Sequence, residues 1–299
     1  MDPERQVCEA PTSSAPVTEA ASPVEDQVCR QLSYDEILEL MRSAAAHQPL
    51  TATQRDNLTS SLESLGNERF ALLVRTLDGE GLLHDVLQEL YETPATTTGG
   101  ANQFEVPVLC YRFWNAANNI EADVRRANTI YGHHGIRITK VVDRTISRED
   151  TRRVTGHAVD DNFRLDRTTT GAQGSKRFTH ADMAAVVREY VPTTAIAGLW
   201  AKRVLNQDGD DLSGTSSPAY SFGASYNKLA AVATDHSGPD TFAHELGHIL
   251  TNAGHTHGGL METGGTRDKT RTGADRLTAA EVTTIKSSVL GWVRSAVCR

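Results

Sequence analysis

Apolar residues recur at helical spacing through the first third of the chain, starting after residue 32. Ser33 and Glu36 form the S-x-x-E pattern of a capping box ahead of an apolar run. Leucine and valine then repeat three or four residues apart up to Gly66, over 67–77 and over 81–91, which predicts further helices. The pattern predicts a small all-α module over 33–92. Residues 1–32, rich in Pro, Ser, Thr and Ala, are predicted to be a flexible tail, and the Thr/Gly-rich residues 93–103 a linker.

Beyond residue 103 the hydrophobic period alternates between strand and helix. Strands are predicted at 104–114, 136–142, 195–204 and 228–234, and helices at 120–131 and 179–191. A strand, a helix and a second strand in succession favour a parallel pair. The polar stretch up to residue 178 has no assigned element, and 205–225 is predicted to be loop. The fold class predicted for 104–299 is α/β (α+β), with helices packed on a mixed twisted sheet.

Composition narrows the classes of function. The chain has 299 residues and a formal net charge of -8, and it lacks a Lys/Arg-rich run, so nucleic acid is not an expected partner. No apolar stretch reaches the ~20 residues that span a bilayer, and the first residues lack the features of a signal peptide. We therefore expect synthesis in the cytoplasm, with export, if any, by a specialised route. Of the four cysteines, Cys110 and Cys298 are expected to be free thiols.

Candidate chemistry is concentrated in residues 239–261. Pro239 suits a first helical turn and Ser237 can cap it, which places His244 and His248 one turn apart on one helix face. Two imidazoles at this spacing can bind one Zn²⁺ ion. Glu245 lies beside them, where a carboxylate can take a proton from a zinc-bound water and return it to the leaving group.

The segment resembles the metzincin clan of zinc metallopeptidases, whose pattern is HExxHxxGxxH followed by a Met-turn. Here Asn252 and His255 stand one residue later than the glycine and the third histidine of that pattern. Asn tolerates the left-handed conformation needed at such a turn, so we favour His255 as third ligand. His257 is the alternative, because alternate residues of an extended segment face the same side. Met261 resembles the methionine of the Met-turn.

The resemblance implies a metzincin-like domain over 104–299, a zinc cofactor and a protein or peptide substrate. It also implies that 228–234 is an edge strand able to pair with an extended peptide. The leading hypothesis is a zinc endopeptidase in which Glu245 activates a zinc-bound water. A zinc amidase acting on a non-protein substrate, a gluzincin-type peptidase and a cargo or adaptor protein with a structural zinc remain as alternatives.

Other features are assigned weaker roles. Asp208, Asp210 and Asp211 are predicted to form a solvated turn, because the spacing of a calcium-binding loop is missing. Thr278 and Glu281 are predicted to form a capping box on the last helix, so Glu281 is not expected to be a metal ligand. Because a protease is hazardous in its own cytosol, we expect an effector or toxin, with residues 1–100 contacting export machinery or an inhibitor.

Overall fold

A computed structural model of the chain describes residues 30–48, 50–91, 104–156, 158–161, 163–166, 180–205, 211–212, 214–222, 225–251, 255, 259–262 and 277–288. The helices in these segments are α1 (Tyr34–Ala45), α2 (Ala52–Ser64), α3 (Asn67–Gly79), α4 (Leu83–Tyr91), α5 (Ile120–Tyr131), α6 (Arg148–Thr155), α7 (His180–Tyr190), α8 (Thr241–Thr251) and α9 (Ala279–Ser288). The strands are β1 (Phe104–Phe113), β2 (Ile136–Ile146), β3 (Leu165–Asp166), β4 (Ile196–Ala201), β5 (Val204–Leu205), β6 (Asp211–Leu212), β7 (Gly214–Phe222) and β8 (Ser225–Ala233). Across these segments, every helix is too short or too polar to span a bilayer. The predicted tail and linker lie outside the described residues.

The main sheet has five strands in the order β2-β1-β4-β8-β7. The pairs β1–β2, β1–β4 and β4–β8 are parallel, whereas β7 is antiparallel to β8. The predicted parallel pair of strands around α5 is therefore confirmed, and the fold class is a mixed α/β sheet with helices.

Two predictions about the end of this sheet are wrong. The segment 228–234 belongs to β8, which lies between β4 and β7 and is not an edge strand. The predicted loop at 205–225 instead contains β6 and β7, and β7 is the edge of the main sheet. Edge strands need not be apolar, and Pro218 within β7 fits an edge position because proline donates no backbone hydrogen bond. The strand β7 was not predicted because its sequence is mostly polar.

Helices cover both faces of the sheet, so the chain forms a three-layer arrangement. On one face the core joins the sheet to α5, α8 and α9, with Val108, Trp200 and Phe242 fully buried. On the other face the sheet packs against α1 to α4 and α7, with Tyr111 and Leu199 in that core. Because successive strand residues point to opposite faces, β1, β4 and β8 contribute to both cores.

The N-terminal helices are attached to the sheet layer by polar contacts as well as by apolar packing. Arg144 of β2 donates hydrogen bonds to the carbonyls of Leu62 and Leu65. The carboxylate of Asp78, near the end of α3, accepts bonds from the backbone N–H and the hydroxyl of both Thr193 and Thr194. Helices α1 to α4 thus share a core with the face of the sheet opposite α8.

The predicted capping boxes are confirmed at Ser33 and Glu36 and at Thr278 and Glu281. The predicted start of α8 is wrong. That helix begins at Thr241, so Ser237 and Pro239 precede it rather than forming its first turn. The polar stretch after β2 contains a helix, α6, that the sequence pattern does not predict. Only one of its eight residues is buried, so it lacks the apolar stripe by which a helix is recognised.

Candidate metal centre

Two histidines of α8 lie one turn apart and face the same point. The Nε2 atoms of His244 and His248 are 3.2 Å apart, and their rings are nearly perpendicular. His244 is buried at 3% exposure, whereas His248 is partly exposed. The four-residue spacing within a helix accounts for this proximity.

A third histidine approaches from the chain beyond α8. The ring centroid of His255 lies 5.3 Å from that of His244 and 4.8 Å from that of His248. One ligand nitrogen from each of the three residues lies within 4.8 Å of the others. His255 is exposed, so the cluster opens to solvent on its side. The alternative ligand His257 and the proposed turn at Asn252 lie outside the described residues.

The turn at residues 259–262, here called the Met-turn, contacts both His244 and the helix that carries it. The carbonyl of Leu260 is 2.5 Å from Nδ1 of His244. Because a carbonyl oxygen can only accept, Nδ1 carries the proton and Nε2 keeps its lone pair for a metal. Met261 is buried against α8 at Gly247, where a Cβ would clash with the methionine sulfur.

Helix α8 is also held from the side of α5. The hydroxyl of Tyr131 donates a 2.7 Å hydrogen bond to the carbonyl of Ala243. Burial raises the pKa of Tyr131 well above its usual value, and the nearby Glu281 carboxylate adds to the shift. The hydroxyl therefore stays protonated and available as a donor.

Glu245 projects toward the edge strand of the sheet. Its side chain is buried at 7% exposure, and its Cγ would lie 3.0 Å from a Cβ placed at Gly214, the first residue of β7. The absence of a side chain at Gly214 leaves room for the carboxylate side chain between α8 and β7. The structure thus brings Glu245 next to β7, the edge strand that runs antiparallel to β8.

Comparison with known proteins agrees with this geometry. The family model described as "Metallo-peptidase family M12B Reprolysin-like" matches residues 117–256, which include His244, Glu245, His248 and His255. The chain is a zinc metallopeptidase whose residues 117–256 are similar to the M12B reprolysin-like family.

The solved structures similar to this metallopeptidase include the crystal structure of metalloproteinase-II from Bacteroides fragilis. It has 11% sequence identity, covers 86% of this chain and 70% of its own, and gives a TM-score of 0.40. The search of curated proteins finds no match.

The histidine cluster of the metallopeptidase fits zinc. At Zn–N distances of about 2.0–2.1 Å, two ligands of a tetrahedral ion lie about 3.3 Å apart. The 3.2 Å between the Nε2 atoms of His244 and His248 is close to this value. The protonated Nδ1 of His244 adds the carbonyl contact that commonly orients a histidine ligand of zinc. Zinc is the cofactor of the M12B metallopeptidases, and His244, His248 and His255 are the residues that would hold it here.

Other chemically suggestive residues lie away from this centre. Asp211 forms an ion pair with Arg203, whereas Asp208 and Asp210 lie outside the described residues. Cys110 is a free, buried thiol whose pKa is raised by burial, as expected for a small core residue. Glu281 is not part of the histidine cluster, in agreement with its assignment as a capping residue. Its contact with the Met-turn, described below, was not predicted because it joins segments about 20 residues apart.

Proposed function

We propose that the chain is a zinc endopeptidase in which His244, His248 and His255 bind the metal and Glu245 is the general base and acid. The observation that carries the proposal is the position of Glu245, which follows the first histidine of the cluster and lies against the first residue of the edge strand. Among the described residues, the histidine cluster is thus followed directly by a carboxylate that lies against the edge strand. These are the components required to bind and hydrolyse an extended peptide.

Glu245 performs the proton transfers in this scheme. When bound, zinc acts as a Lewis acid that lowers the pKa of a coordinated water toward ~7 and polarises a carbonyl group. The Glu245 carboxylate accepts a proton from the attacking water and then donates it to the leaving amine. Its burial keeps this exchange away from bulk solvent, where its electrostatic effect would be weaker.

Peptide is the favoured substrate because β7 offers an edge for strand pairing. Its register with β8 is regular from Gly214 to Ser217 and then shifts before Tyr220. The irregular part contains Pro218, which donates no hydrogen bond. We therefore propose that an extended substrate pairs along residues 214–217, next to Glu245, where outward-facing N–H and C=O groups remain regular.

A structural zinc site and a zinc amidase are the two alternatives to the endopeptidase. A structural zinc site is normally closed by four protein ligands, whereas a catalytic site keeps one position open. Within the described part of the chain the cluster contains three histidines, one of them exposed, which favours the open site. A zinc amidase would use the same centre but would not need the strand edge. Delivery as an effector or toxin, with residues 1–100 contacting export machinery or an inhibitor, stays a prediction from the sequence.

The test compares His255→Ala with His257→Ala. We expect His255→Ala to lose bound zinc and cleavage of a mixture of unfolded proteins, and His257→Ala to retain a substantial part of both. Zinc per chain is measured by elemental analysis and cleavage sites by mass spectrometry. Wild type with one zinc and no cleavage of any peptide would refute the endopeptidase. The reverse ranking of the variants would instead assign the third ligand to His257.

A further inference from the structure

The carboxylate of Glu281 makes a contact that its role as a helix cap does not require. Its Oε2 accepts a 2.7 Å hydrogen bond from the backbone N–H of Thr278, which completes the capping box of α9. Its Oε1 accepts a 3.2 Å bond from the backbone N–H of Met261 in the Met-turn. Glu281 is buried at 4% exposure, and a buried carboxylate is costly unless its oxygens are bonded.

The N–H of Met261 belongs to the same peptide group as the carbonyl of Leu260. That carbonyl accepts the Nδ1 proton of His244 at 2.5 Å. In a planar trans peptide the C=O and N–H point in opposite directions, so Glu281 and His244 bind the two ends of one rigid unit. Two hydrogen bonds therefore connect the Glu281 carboxylate, through one peptide group, to the imidazole of His244.

Gly259 permits the approach of the carboxylate. A Cβ at this position would lie 2.6 Å from Oε2 and 3.0 Å from Oε1 of Glu281. It would also lie 3.0 Å from Cγ2 of Thr278, so the first turn of α9 is pressed against the Met-turn. The close contact fixes the distance between Glu281 and the Leu260–Met261 peptide.

We propose that Glu281 is a positioning residue for the zinc centre and acts on His244 through the Leu260–Met261 peptide. A carboxylate on the N–H side polarises the peptide and strengthens its carbonyl as an acceptor. A stronger acceptor holds the Nδ1–H tautomer, orients the ring and makes Nε2 a better metal ligand. The arrangement is equivalent to a carboxylate bound directly to a zinc-ligating histidine, with one peptide group inserted. The inference rests on the proposed role of His244 as a ligand but not on the substrate.

Three variants of the full-length chain separate this role from capping. Glu281→Gln keeps the shape but loses the charge and one of the two acceptor oxygens. Glu281→Asp keeps the charge near the site but is one methylene too short for both contacts. Thr278→Val is the matched control. It removes the hydroxyl that accepts the N–H of Glu281 but keeps the hydrogen bond from the Met261 N–H to the Glu281 carboxylate. All three weaken the start of α9.

The measurements are zinc affinity by competition with a chromophoric chelator and the visible spectrum of the Co²⁺-substituted protein, which reports ligand geometry. We expect both Glu281 variants to weaken zinc binding by about 10–100-fold and to alter the cobalt spectrum. Thr278→Val should lower the urea midpoint of the metal-free protein but leave both metal readouts unchanged. Equal metal affinity in Glu281→Gln and Thr278→Val, or wild-type affinity in Glu281→Asp, would overturn the proposal. Because neither readout uses a peptide, failure of the endopeptidase assay would be a separate result.

Discussion

Substitution of Gly247 by alanine tests the packing beneath the metal centre. Alanine normally stabilises the interior of a helix relative to glycine by up to about 1 kcal/mol. At residue 247, however, the added Cβ would clash with the sulfur of Met261 and lie 3.1 Å from the hydroxyl of Tyr131. Overpacking of this kind costs about 1–3 kcal/mol. We therefore expect Gly247→Ala to lower the free energy of unfolding instead of raising it.

Gly79, in the last turn of α3, provides the matched control. It is helical and exposed, and a Cβ there would meet no atom within 4 Å. Gly79→Ala should therefore be neutral or stabilising, by up to about 1 kcal/mol. The difference between the two variants isolates the overpacking and should be about 1–3 kcal/mol.

The assay is urea unfolding followed by far-UV circular dichroism in excess chelator, so that zinc does not contribute to the free energy of unfolding. Met261→Ala alone should cost about 2–5 kcal/mol because it leaves a cavity. Combined with Gly247→Ala it should cost less than the sum, since the new methyl group occupies the vacated space. Equal stabilisation by Gly247→Ala and Gly79→Ala, or strict additivity with Met261→Ala, would refute the placement of Met261 against α8.

Two further predictions concern the carboxylates of Asp78 and Asp123. Asp78→Ala should lower the free energy of unfolding by about 2 kcal/mol, because four hydrogen bonds between α3 and the segment that precedes β4 depend on that carboxylate. Urea unfolding measures this, with exposed Asp56→Ala within about 0.5 kcal/mol of wild type as the control. Burial raises the pKa of Asp123 despite the hydrogen bond that it accepts from Trp200. The folded state therefore binds a proton more readily than the unfolded state, and stability falls as the pH rises from the unfolded-state pKa through the folded-state pKa of this group. Asp123→Asn, which keeps an acceptor for Trp200, should thus be more stable than wild type at pH 7, and thermal melts should show this advantage shrink as the pH is lowered; an advantage independent of pH would contradict the assignment.

The proximity of the two helical histidines could be predicted because its main signal is local. Residues four apart on a helix are neighbours whatever the rest of the fold does, so His244 and His248 were paired correctly from their spacing. The same holds for the capping boxes, which involve residues three apart. Contacts between residues three or four apart in a helix do not depend on how the rest of the chain folds.

The order of strands was harder to predict because it depends on contacts between distant segments. The run from Leu229 to Ala233 is buried at every position, a pattern typical of a central strand with both faces covered. The metzincin resemblance instead implied an edge strand at 228–234, and the polar segment before it was predicted to be loop. The Ser- and Pro-containing β7 became recognisable only through its pairing with β8. The contact of Glu281 with the Met-turn is equally non-local.

Replacement of Glu245 by glutamine tests the central claim most directly. Glutamine has nearly the same shape but cannot accept a proton from water, and general acid-base catalysis contributes about 10²–10⁴-fold to rate. We predict that Glu245→Gln binds as much zinc as wild type and loses cleavage of a peptide library by at least about 100-fold. Glu121→Gln, the same chemical change on an exposed residue of α5, should cleave like wild type. Undiminished cleavage by Glu245→Gln at matched zinc occupancy would contradict the account.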